Sequence, residues 1–116
     1  MIIRKFEVLL VNFNPARGTM PGKIRPAIVI QTNSLNKVGH PSTLVIPISS
    51  KDYTNTSILR IKIDASLQNG LEKPSYAVID QLTAIDNSKI KQKLGELEIA
   101  SKNAIIYALK SIFDLS

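Results

Sequence analysis

Gly22-Lys23-Ile24-Arg25-Pro26-Ala27-Ile28-Val29-Ile30 is the stretch whose reading decides the fold class of this chain. Residues 25–32 (RPAIVIQT) read as a strand, and the nearly continuous apolar run marks it as central in its sheet. Pro26 has no N–H to give to a ladder, so it is expected at the beginning of that strand, where a missing donor does least harm. Upstream, residues 16–23 form a polar loop carrying Gly18, Pro21 and Gly22. Residues 6–13 (FEVLLVNF) are rich in strand formers and are closed by the turn signal Asn14-Pro15.

Downstream, residues 33–42 (NSLNKVGHPS) read as a loop and residues 43–48 (TLVIPI) as a third strand. Residues 57–63 alternate, with Leu59, Ile61 and Ile63 facing one way and Arg60 and Lys62 the other, as in a half-exposed strand. Residues 76–79 (YAVI) make a fifth strand running on into Asp80-Gln81-Leu82-Thr83. Asp86-Asn87-Ser88 reads as the cap of a short helical turn that Gly95 breaks. From 97 to 115 the period becomes helical, and Ile105, Ala108, Leu109, Ile112 and Phe113 form one apolar stripe. That stripe fits a helix packed on the sheet better than a partner-binding helix. The expected architecture is a small, mostly antiparallel β-barrel with a C-terminal helix.

A chain of 116 residues, 44% of them hydrophobic, fits one domain over 1–116 with a core of its own. The absence of cysteine excludes disulfides and thiolate metal sites and suits a reducing compartment. The longest apolar runs, such as 8–11 and 27–30, are too short to span a bilayer. Met1-Ile2-Ile3-Arg4-Lys5 lacks the cleavage site of a signal peptide, so a cytoplasmic protein is expected. Fifteen lysines and arginines against nine acids give a net charge of +6. The excess suits a polyanionic partner, nucleic acid or an acidic protein segment, and it equally suits a basic surface kept for solubility.

Most catalytic constellations are excluded by composition. His40 lies between Gly39 and Pro41 with no second ligand in reach, so no metal site is expected. There is no Gly-x-Ser-x-Gly nucleophile elbow and no glycine motif of the nucleotide enzymes. What remains is the first loop, where Arg17, Lys23 and Arg25 fall within nine residues around Gly18 and Gly22. Glycines let a backbone approach a ligand closely, and three cations beside them could cradle a phosphate. A solvated basic turn has the same composition, and local charge does not separate the two.

Longer-range pattern does. The run 14–31, with an Asn-Pro turn, a glycine-containing loop and Arg25-Pro26 opening an apolar strand, resembles the signature of the MazF/PemK toxins. Pro41-Ser42-Thr43-Leu44-Val45-Ile46-Pro47-Ile48-Ser49-Ser50 is similar to that family's third strand, which usually ends in Thr-Ser. Residues 76–86 (YAVIDQLTAID) are similar to the segment in which an acid-Gln pair precedes a Thr-Ile-Asp-like turn. The C-terminal helix falls in its expected place, so the resemblance covers nearly the whole chain.

The resemblance implies an SH3-like small β-barrel of the PemK/CcdB type, a homodimer, and cleavage of single-stranded RNA at short sequences without metal or cofactor. It also implies an acidic antitoxin whose extended tail occupies the same basic groove. Carried onto this sequence, it makes Arg25 and Ser49 catalytic and Asp80 a candidate base, with Gln81 beside it. Arg17, Thr19, Lys23 and Gln81 are then expected to contact RNA. Three positions depart from the pattern: Ser49 replaces the usual threonine, Met20 sits where many members have glutamate, and Thr19 where some have histidine. RNA brings its own nucleophile, the 2′-hydroxyl, so the protein has only to position, deprotonate and stabilise. A guanidinium can fork onto two phosphorane oxygens, which suits Arg25 to stabilise charge, and a group that stays protonated in proteins is a poor base. The alternative is a non-catalytic protein on the same fold, either an RNA binder or a gyrase inhibitor like CcdB. The CcdB relatives depend on an aromatic residue near the very C-terminus, whereas this chain ends Phe113-Asp114-Leu115-Ser116 and keeps the Arg-Pro strand they lack.

Overall fold

The computed structural model of the chain describes residues 1–15, 18, 23–51 and 59–115. In chain order the elements are β1 (Glu7–Asn12), β2 (Ile24–Val29), a short helix α1 (Asn33–Lys37), β3 (Ser42–Ser49), β4 (Arg60–Ile63) and β5 (Ser75–Val78). A 3-10 turn (Ile79–Gln81), β6 (Thr83–Asp86), a second 3-10 turn (Asn87–Lys89), β7 (Ile90–Glu96) and helix α2 (Ile99–Ile112) complete the chain. The strands follow the order β4-β5-β3-β2-β1-β7, with β6 pairing β3 beside this path, and every pairing is antiparallel. β2 is central, as its apolar run requires. β4 and β7 stand at the two ends of the order, so the sheet curls like a barrel and stays open rather than closing.

Both faces of the central strands are covered, which explains why 27–30 does not alternate. Val8, Ile28 and Ile46 lie in one cross-strand row and join Ile63, Ala77, Ile105 and Ala108 in a core under α2. Leu9, Ala27, Val29 and Val45 face the other way and pack with Ile3, Phe13 and Ile85. Each fully buried Val, Leu or Ile stabilises by about 1.5–3 kcal/mol, so two such layers hold the curl. The α2 stripe is only half used: Ile105 and Ala108 are buried, whereas Ile112 is 40% and Phe113 55% exposed. The helix outruns the short platform of β4 and the 3-10 turn against which it packs. It ends in a Schellman motif, with Leu115 N–H donating to the Lys110 carbonyl at 2.8 Å and Asp114 in the left-handed region.

Strand prolines sit where the ladder is interrupted. The carbonyls of Lys23 and Val29 accept from Phe13 and Phe6 on the β1 side, so alternation turns position 26 toward β3. Pairing with β3 starts only at Ala27↔Pro47, which leaves Pro26 no donor to withhold. Pro47 in turn falls between the residues of β3 that pair β6 (42–45) and those that pair β5 (48–49).

The segment between β4 and β5 is fixed from below. Buried Asn69 accepts from the Ser66 and Leu71 N–H groups at 3.1 and 3.0 Å and donates to the Asp64 carbonyl at 2.9 Å and to Glu98 Oε1 at 3.1 Å. Ser66 Oγ donates to the other oxygen of Glu98 at the start of α2, and that hydrogen bond, with Asn69 assisting, holds the Glu98 carboxyl below its ordinary value. Gly70 and Gly95 allow this segment to lie against β7. A Cβ on Gly70 would stand 2.2 Å from the Leu94 carbonyl oxygen, and one on Gly95 2.1 Å from that of Gln68.

Three elements differ from the sequence reading. Residues 33–37, read as loop, form α1, whose N-cap Thr32 accepts from Ser34 N–H at 3.4 Å. The fifth strand stops at Val78, and Thr83–Asp86 is a separate strand on β3. The helical turn read from Asp86 to Gly95 is confined to the 3-10 turn at Asn87–Lys89, and Ile90–Glu96 forms β7: two bulges opposite 8–9 and 10–11 break the alternation by which a strand is recognised.

Candidate active site

The first turn of β2 and the end of β3 open onto a cleft of about 550 Å³. The β2–β3 register runs Val29↔Val45, Ile28↔Ile46, Ala27↔Pro47; continued outward two places, it sets Arg25 opposite Ser49. Both residues line the cleft, with Lys23, Ile24 and Pro26 on the β2 side and Ile48, Ser50 and Lys51 on the β3 side. Leu10 and Gln92, from β1 and β7, extend its floor, and Gly70, Leu71, Glu72 and Lys73 form the far wall. Four cations, Lys23, Arg25, Lys51 and Lys73, thus share the cleft with one carboxylate, Glu72, among the described residues. Such a surface attracts a polyanion.

Local structure holds each group. Arg25 is half-buried, and Pro26 after it restricts its backbone to the extended region. Lys23 has φ +74, a left-handed conformation that is strained for a side-chain-bearing residue. Two bonds keep it there: its N–H donates to Asn14 Oδ1 at 2.6 Å, and its carbonyl accepts from Phe13 N–H at 2.8 Å. Ser49 is 8% exposed, and its Oγ accepts from Lys51 N–H at 3.2 Å. That bond uses one lone pair and leaves the O–H to be turned toward a ligand in the cleft.

The remaining sequence expectations fare differently. Arg17 and Thr19 lie outside the described residues. Asp80 does not join Arg25 and Ser49: the 3-10 turn after β5 carries it toward β4, where its Oδ1 accepts from Arg60 Nη1 at 2.7 Å. Its carboxylate is committed to a guanidinium only 14% exposed, and Asp80 is absent from the cleft lining. Gln81, half-buried in the same turn, is likewise absent from the cleft lining. Among the described residues no three His, Asp or Glu side chains gather as metal ligands, and no helix is long and apolar enough to cross a membrane.

Lys51, Glu72, Lys73 and Gln92 were not singled out from the sequence. Lys51 directly follows Ser49-Ser50, a signal that was available. The other three reach the cleft only through the packing of 66–70 on β7 and the β1–β7 pairing.

Known proteins share this fold. The chain is 33% identical over 82 residues to the probable endoribonuclease MazF of Mycolicibacterium smegmatis, covering 71% of this chain and 72% of that one. It is 26% identical over 110 residues to endoribonuclease EndoA of Bacillus subtilis, covering 95% and 93%. Its fold superposes on a crystal structure of MazF from Deinococcus radiodurans with a TM-score of 0.82 at 20% identity, over 99% of each chain. Residues 4–113 match the family of PemK-like, MazF-like toxins of type II toxin–antitoxin systems, cleft residues Arg25 and Ser49 included, and the chain belongs to that family.

Proposed function

We propose that this protein is a toxin endoribonuclease that cuts single-stranded RNA at short sequences in the cationic cleft, without metal. The observation that carries the reading is that Arg25 and Ser49 line one cationic cleft from the two sides of the fork where the β2–β3 pairing ends. The 2′-oxygen attacks the adjacent phosphorus, the bond to the 5′-oxygen breaks, and a 2′,3′-cyclic phosphate and a free 5′-hydroxyl result. Arg25 forks onto two oxygens of the phosphorane and Ser49 donates a third hydrogen bond to it. Glu72, the carboxylate among the described cleft residues, takes the 2′-proton, and the 5′-oxygen takes one from solvent. Lys23, Lys51 and Lys73 hold flanking phosphates, with Arg17 and Thr19 contacting RNA from the first loop.

The family's toxin–antitoxin character supports an acidic antitoxin segment competing for the same cations. A homodimer is supported by the apolar side chains left exposed toward the C-terminus, Tyr107, Ile112, Phe113 and Leu115. The cytoplasm is where such an RNA and such a partner meet. The test is a mixed-sequence single-stranded RNA incubated in EDTA beside its all-deoxy copy. Only the RNA should be cut, Arg25→Ala should abolish cutting, and cyclic-phosphate ends should appear. Binding without cutting would make the protein a non-catalytic RNA binder, and a requirement for metal would refute the mechanism.

A further inference from the structure

β7 carries a residue that its own alternation would have hidden. Ile90 pairs Val11 and packs into the second core; with strict alternation Gln92 would face that core too. Instead Leu10 pairs Gln92, because an extra residue, Lys91, is inserted opposite β1. The bulge moves Gln92 to the cleft face, in one cross-strand row with Leu10 and Pro26, which also line the cleft. Bulges of this kind re-aim side chains and concentrate beside active sites. Gln92 is exposed, its side chain has no hydrogen bond among the described residues, and it supplies the only side-chain amide among those lining the cleft.

We infer that Gln92 selects the base next to the cut, and that it selects adenine. The inference rests on the cleft being the RNA site. The cations there suit phosphates; a neutral amide, with a donor beside an acceptor, suits a base edge. Gln92 lies two strand spacings from β2, about 10 Å, which is base or next-nucleotide distance from a phosphate held at Arg25. Its amide complements adenine's N6–H beside N7, the pairing that glutamine makes with adenine in nucleic-acid recognition. The apolar floor of Leu10 and Pro26 offers a shelf that a purine covers more fully than a pyrimidine.

A randomised single-stranded RNA pool is digested by the wild-type protein, Gln92→Leu and Gln92→Glu, and the cut ends are sequenced. Wild type should favour adenine at one position beside the cut. Gln92→Leu should lower that preference about tenfold, the scale of one bidentate base contact. Gln92→Glu, which loses the donor, should lower it as well, with base preferences at other positions kept within about twofold. Unchanged base ratios in Gln92→Leu, or no adenine preference in wild type, overturn the inference and leave RNA cleavage standing. An uncut pool overturns the cleavage reading itself.

Discussion

Replacing Gly70 by alanine tests whether the far wall of the cleft is set by its seat on β7. Gly70 has φ +73, where an L-residue costs about 1–2 kcal/mol, and its new Cβ would lie 2.2 Å from a backbone oxygen of Leu94. Backbone cannot rotate away as a side chain can, so one strand segment must move, at a further cost of about 1–3 kcal/mol. Gly39 provides the control. Its φ is +70, and nothing lies within 4 Å of its would-be Cβ. Gly39→Ala therefore carries the conformational cost alone. At roughly 4 °C per kcal/mol for a domain of this length, Gly39→Ala should lower Tm by about 4–8 °C and Gly70→Ala by about 8–20 °C. Melting followed by far-UV circular dichroism reads both. Gly70→Ala should also cut RNA more slowly well below its Tm, because Glu72 and Lys73 move with the wall, whereas Gly39→Ala should not. Equal Tm losses in the two variants would refute the close contact.

Arg25→Lys should lose about 10²–10³ in cleavage rate, nearly as much as Arg25→Ala, because an ammonium cannot fork onto two oxygens; near-normal single-turnover rates in the lysine variant would count against the assigned role. Glu72→Gln should slow single-turnover cleavage by about 10²–10⁴ with RNA binding intact. Asp80→Ala should instead cost about 1–3 kcal/mol in urea unfolding, by leaving Arg60 without that carboxylate, and change cleavage little; the reverse pattern would restore Asp80 as the base. Glu98 has its folded pKa lowered, chiefly by the Ser66 hydrogen bond, so its contribution to stability is present above its ordinary value of 4.5 and is lost as pH falls below it. The urea-midpoint gap between wild type and Glu98→Gln should accordingly be constant near neutrality and shrink below about pH 4.5, and a pH-independent gap would contradict the assignment. If about three phosphates are gripped, log affinity for single-stranded RNA should fall with log salt at a slope near −2, and a flat response would mean the cations do not bind phosphate.

Local pattern made most of the fold legible. The unbroken apolar run at 27–30 implied a strand covered on both sides, the alternation at 59–63 implied a half-exposed one, and the stripe of α2 implied its packed face. Legibility failed where tertiary pairing overrides local period. β7 hides because its bulges shift the phase of Ile90, Gln92 and Leu94, and each of these residues makes sense only against β1. The site divided in the same way. Arg25 and Ser49 stand in contiguous motifs on paired strands and could be read one by one. Glu72 and Gln92 reach the cleft through long-range packing, and Asp80 leaves it because the turn at 79–81 delivers its carboxylate to Arg60.

Proline accounts for the shape of both motifs. A ladder that continued past Ala27↔Pro47 would zip Arg25 against Ser49 and close the fork. Pro26 can give nothing to that ladder on the β3 side, and it also keeps the preceding Arg25 extended. Pro47 marks the point where β3 exchanges β6 for β5, so the last residues of β3 are supported from one side while the other stays open to the cleft. Arg-Pro and Pro-Ile-Ser are thus two halves of one device, which ends the β2–β3 pairing two residues before Arg25 and Ser49. Restoring a donor with Pro26→Val tests this. If the device works as described, the variant should keep or raise Tm, extend amide protection in hydrogen exchange toward residue 26, and lose cleavage as the fork narrows. Lost activity with unchanged protection would mean that Pro26 acts only through the conformation of Arg25.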